Sequence, residues 1–155
     1  MQFFRSVLSL LIFSLALDAA VVARASDMKL EAKLVWGSNE VTPDSKFRPV
    51  DAALAQDLNR IFKWKNYVEI TNRVVSIPKD ATKDVQMSSK CALKIKNLGS
   101  SRIEVDFVGA GKQVSKGVHP LPVGKRLTLA GDDKNDSAWF VVLKSLDPKV
   151  ADARK

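Results

Sequence analysis

Apolar and polar residues alternate with a period of two in several stretches of this chain. Met28, Leu30, Ala32, Leu34 and Trp36 fall on one side, and Lys29, Glu31 and Lys33 on the other. That alternation predicts a half-buried strand, because successive strand side chains point to opposite faces. Gly37-Ser38-Asn39 ends it, and polar Thr42–Pro49 reads as a loop. The period then lengthens. Val50, Leu54, Leu58 and Ile61 recur at helical spacing, with Phe62 beside them, and predict a helix over Val50–Phe62. Pro49 and Asp51 suit its start. So short a helix does not stand alone in water and must pack on something.

Strand character returns at Tyr67–Ile77, where the alternation slips near Asn72-Arg73 and predicts a bulge or turn. Val85–Ile95 reads as a single strand. Val85, Met87, Ser89, Cys91, Leu93 and Ile95 share one face, and Gln86, Ser88, Lys90, Lys94 and Lys96 share the other. Asn97–Ser101 is a predicted turn, in which Gly99 takes positive φ. It leads into Arg102–Phe107 as a hairpin. Gly109-Ala110-Gly111 turns the chain again into Lys112–Val118. Lys125–Ala130 is a short strand with Leu127 and Leu129 inward. Trp139–Leu143 is apolar at every position, as in a strand covered on both faces. Short turns force antiparallel neighbours. The expected class is α+β: a mainly antiparallel twisted sheet or partly closed barrel with one covering helix. A β-sandwich is the alternative.

Residues 1–25 stand apart. Arg5 precedes the apolar run Val7–Leu17, and Ala23-Arg24-Ala25 places small residues where a signal peptidase reads. This is the pattern of a secretory signal peptide. It predicts cleavage before Ser26, a single globular domain over 26–146, a polar tail over 147–155, and a periplasmic or secreted location. A domain of this size holds a core without staples. The chain carries a formal net charge of +8, and removal of Arg5, Arg24 and Asp18 leaves it strongly basic. Such a domain is drawn to polyanions. Cys91 is the single cysteine, so no internal disulfide forms, and it is expected as a small buried hydrophobe.

Candidate chemistry is sparse. One histidine, His119, and one cysteine do not furnish a catalytic zinc site, and no G-x-S-x-G elbow is present. Gly109-Ala110-Gly111-Lys112 lacks the spacing and the Ser/Thr of a phosphate loop. No cofactor is expected. The acidic run Asp132–Asp136 offers Asp133, Asn135 and Asp136 as calcium ligands, but the twelfth position counted from Asp133 is Lys144, where the loop needs glutamate. Phe62-Lys63-Trp64-Lys65-Asn66-Tyr67 interleaves aromatics with bases. Lys63, Trp64, Lys65 and Tyr67 are therefore candidates for an interfacial anchor or for stacking on single-stranded nucleic acid. Lys90, Lys94 and Lys96, with Arg102 across the turn, form a candidate basic stripe or a charge-protected edge.

Three stretches, Leu34–Glu40, Phe62–Tyr67 and Gly131–Lys144, together resemble small uncharacterised exported proteins of bacteria. The resemblance implies a bacterial envelope setting and carries over no site residue. The expected function is non-enzymatic binding of a protein partner or an anionic envelope surface. A small carboxylate-based hydrolase and an extracytoplasmic nucleic-acid binder are the alternatives.

Overall fold

The computed structural model describes residues 27–40, 46–132 and 136–147. The expected signal peptide, its cleavage site and residues 148–155 of the expected tail lie outside the described residues.

The alternating N-terminal run forms β1 (Met28–Ser38), which sits inside a five-stranded sheet. Two further residues, Arg48–Pro49, make β2, and α1 spans Ala52–Asn59. The chain continues through β3 (Asn66–Ile77), β4 (Thr82–Ser88), β5 (Cys91–Gly99), β6 (Arg102–Gly109), β7 (Lys112–Pro120), β8 (Arg126–Asp132) and β9 (Ser137–Leu146). The larger sheet runs β2-β3-β1-β9-β8 and the smaller β4-β5-β6-β7, and every pairing is antiparallel. The described residues adopt the expected antiparallel α+β architecture with one helix. Its two sheets are separate and face each other, and neither closes into a barrel.

Two apolar cores follow from this layering. Leu30, Ala32 and Leu34 of β1 and Val141 and Leu143 of β9 meet Leu93, Ile95, Val105 and Phe107 of the smaller sheet. On the opposite face of the larger sheet, Val35 of β1 and Phe140 and Val142 of β9 meet Leu54 and Leu58 of α1, together with Trp64 and Tyr67. β9 thus gives alternate side chains to both cores, as its unbroken apolar sequence predicts. Both cores are built from residues between Met28 and Leu143. Gly37 makes the outer core possible: a Cβ there meets Phe140 Cε2 and Trp64 Cδ1, each at 2.8 Å.

Three local expectations need correction. The helix is shorter than Val50–Phe62. Asp51 caps it by accepting the Leu54 N–H at 2.9 Å. At the other end the N–H groups of Ile61 and Phe62 both close on the Leu58 carbonyl. This turn swings Ile61 out to 71% exposure and brings the Phe62 ring to 4.5 Å from Phe140. The irregularity in β3 falls at Ile70, which has no β1 partner between Glu69↔Val35 and Thr71↔Leu34, and not at Asn72-Arg73. Val85–Ile95 is a hairpin of β4 and β5 joined through Ser89-Lys90, with Met87 bulged between Gln86↔Ala92 and Ser88↔Cys91.

Cys91 lies in the main core. Burial pushes its thiol pKa up to about 11. A thiol reagent at pH 8 is therefore expected to leave Cys91 unmodified in the folded protein and to label it fully in denaturant, since the thiolate is the reactive form. Rapid labelling of the native protein contradicts that placement.

Candidate functional site

The aromatic and basic segment after α1 resolves into two layers. Trp64 and Tyr67 are 8% and 5% exposed and belong to the outer core. Their rings are turned inward, away from any ligand, so they support the segment. Tyr67 stands edge-on to Phe140 at 5.9 Å. Among the described residues its hydroxyl makes no well-formed hydrogen bond. Burial raises the phenol pKa, with the Trp64 backbone beside it pulling the other way.

Lys63 and Lys65 point outward. The Lys63 amine lies 4.6 Å from the Trp64 ring centroid and 3.4 Å from Asp136. The Lys65 N–H donates to Asn39 Oδ1 at 3.2 Å, and Asn66 Nδ2 donates to the Glu40 carbonyl at 3.1 Å. These bonds tie the segment to the end of β1. Exposed Arg60 and Ile61 precede it. The result is a knuckle, Arg60–Lys65, that exposes Arg60, Ile61, Lys63 and Lys65 and buries Trp64; Arg60 lies 4.0 Å from Asp57. Ile61 is the residue that the sequence pattern misplaces, because its helical spacing assigns it inward.

The other candidate basic residues are more scattered. Lys94 sits on the outer face of the smaller sheet, directly between Asp84 and Asp106, and Lys96 sits between Thr82 and Glu104. Lys116 lies opposite Asp106 and 3.9 Å from Glu104. This face is a ladder of alternating charge, in which each opposite-charge pair contributes roughly 0.2–1 kcal/mol. Lys90 and Arg102 are at opposite ends of it. The Lys90 carbonyl accepts the Ala110 N–H at 2.6 Å, linking two hairpin turns.

Acidic side chains gather instead on the outer face of the larger sheet. The Lys33 amine lies 2.8 Å from Glu69, 3.7 Å from Glu31 and 3.9 Å from Asp51. Burial opposes its charge, but the three carboxylates outweigh it and hold its pKa above 10.5. Arg126 bonds Asp57 at 2.7 Å and clamps α1 to β8. Of the calcium candidates, Asp133 and Asn135 lie outside the described residues, and Asp136 is occupied with Lys63. Among the described residues no group of three or more metal-ligating side chains converges, and no helix is long and apolar enough to cross a membrane.

A groove of about 300 Å³ opens at the end of the sandwich beside Met28, Lys79, Ser100, Ser101 and Leu146. Among the described residues Asp27 is the one acid lining it, and Asp27 accepts a bond from Ser76 Oγ at 3.0 Å. Glycosidase chemistry asks for two facing carboxyl groups. No protein-family model, curated protein or solved structure matches the chain.

Proposed function

We propose that this protein is an exported, non-enzymatic binding domain that docks on an anionic envelope surface through the Ile61 knuckle. Residues 1–25 act as its signal peptide, and the working form begins at Ser26. The observation that supports this reading is Ile61, 71% exposed in a segment that also exposes Arg60, Lys63 and Lys65. An aliphatic tip inserts at the boundary of headgroups and acyl chains, while flanking cations meet anionic headgroups. Each Lys or Arg near such a surface contributes about 1 kcal/mol. Removing one aliphatic side chain from water contributes about 1.5–3 kcal/mol. Burial of Trp64 and Tyr67 removes the two candidate stacking rings of this segment, which disfavours the nucleic-acid alternative.

The test is flotation of the chain from Ser26 with vesicles. Phosphatidylglycerol-rich vesicles should carry the protein and pure phosphatidylcholine vesicles should not. Ile61→Asp should weaken binding by at least about tenfold, and Lys63→Glu with Lys65→Glu by a comparable factor, with unchanged melting temperatures. Equal binding to both vesicle types, or no effect of Ile61→Asp, overturns the reading.

A further inference from the structure

We infer that two copies of this chain pair edge to edge through β3, forming a continuous antiparallel sheet about a two-fold axis at Val74. Among the described residues, β2 covers β3 only at Val68 and Glu69. Beyond the Ile70 bulge, Thr71–Ile77 has β1 on one side and, among the described residues, no strand on the other.

Other edges carry devices that discourage pairing. β7 has Lys112, Lys116, a bulge at Val114, Gly117 and Pro120. β4 has Lys83, Asp84 and the Met87 bulge. The free stretch Thr71-Asn72-Arg73-Val74-Val75-Ser76-Ile77 has no proline, glycine, lysine or acid, and a single charge at Arg73. Val74 is 62% exposed.

The direction of its backbone follows from β2. The Tyr67 carbonyl accepts the Val50 N–H, so it points away from β1. Tyr67 is opposite Gly37 in β1, and the partners of Lys33, Glu31 and Lys29 are Asn72, Val74 and Ser76. By strand alternation these three also turn their N–H and C=O groups outward. An antiparallel copy centred on Val74 then sets Val74 against Val74 of the second copy. Asn72 meets Ser76, Arg73 meets Val75, and Thr71 meets Ile77. Every outward backbone group from Asn72 to Ser76 gains a partner, and no like charges face each other. Centring on Arg73 would oppose two guanidinium groups. The self-complementary register is why the occupant is a second copy. The axis is normal to the sheet, so both α1 layers lie on the same side of the dimer. Pairing does not require that the knuckle bind a membrane.

Sedimentation velocity on the chain from Ser26 should show a monomer passing to a dimer with rising concentration. Both copies are basic, so raising salt from ~0.1 M to ~1 M, which shortens the Debye length from ~10 Å to about 3 Å, should strengthen the dimer. Vesicle binding responds to salt in the opposite sense, so the two ideas fail separately. Val74→Asp places two carboxylates face to face at the axis and should abolish the dimer with the melting temperature unchanged. Val74→Cys should cross-link on mild oxidation, because directly opposite residues stand about 5.5 Å apart at Cα, within disulfide range. Val123→Cys, equally exposed but off the axis, should not. A monomer at all concentrations, a dimer indifferent to Val74→Asp, or equal cross-linking of the two cysteine variants overturns the proposal.

Discussion

Phe140→Ala is expected to lower the unfolding free energy by about 3–5 kcal/mol, the range for truncating a fully buried aromatic. Phe140 has no exposed surface, and the Phe62 and Tyr67 rings pack on it. It also fills the space that Gly37 leaves open. These neighbours belong to β1, β3 and the segment after α1, so no single element can relax into the void. Against a total stability of about 5–15 kcal/mol, the loss is a large fraction. Urea titration reads it as a lower midpoint with little change in slope. Ile61→Ala, on the same segment but exposed, should stay within about 0.5 kcal/mol. A change below about 1 kcal/mol in Phe140→Ala would mean that the helical layer does not depend on this contact.

Asn97→Leu should cost about 2–4 kcal/mol. Asn97 is 2% exposed, donates from Nδ2 to the Ile77 carbonyl at 2.9 Å, and accepts the Gly99 N–H on Oδ1 at 2.9 Å. Leucine fits the volume but leaves the buried Ile77 carbonyl without that partner, at roughly 1–3 kcal/mol, and takes the acceptor from the half-buried Gly99 N–H, at roughly 1 kcal/mol. Asn97→Asp separates the two bonds. Its carboxylate still accepts from Gly99 but cannot donate to Ile77, whereas the protonated acid does both. The folded state therefore favours the proton, and this variant should recover relative to wild type as pH falls through the folded-state pKa of the new acid. A pH-independent difference between the two proteins would contradict the assigned bonds.

The strands that alternate against a polar face were legible because β5 and β6 each bury one side, as β1 does as far as Leu34; beyond it Val35 enters the outer core and Trp36, expected inward, is only half-buried. β9 was legible because it buries two. The β4–β5 hairpin was not, for a geometric reason. Without a bulge, a two-residue turn pairs odd with even positions, and the inward set changes parity across it. Met87 adds one residue to β4, so Val85 and Met87 stay in phase with Cys91, Leu93 and Ile95, and two strands mimic one. Ser89-Lys90 also lacks the glycine or asparagine that announces a tight turn. Asn97 misleads in the opposite way. Asn-Leu-Gly has turn composition, but Asn97 lies in β5, where its backbone bonds Asp80 and Ala81. At the candidate site, the interleaved bases and aromatics were visible as a pattern, and Lys63 and Lys65 face outward. Ile61 was not visible, since only the tight closure on Leu58 decides whether Ile61 or Phe62 enters the core.

The position of β9 bears on when this protein is able to fold. It is the last strand in the described chain, yet it lies inside the larger sheet, between β1 and β8, and supplies both cores. A chain emerging from the ribosome has β1 early but lacks the strand that must lie beside it until more than a hundred further residues have been added. Until then Leu30, Leu34 and Val35 have no neighbour on that flank, and the α1 segment has no Phe140 to rest on. The larger sheet and both cores therefore wait for β9, and the strands from Met28 onward close into their two layers only once Leu146 has been added.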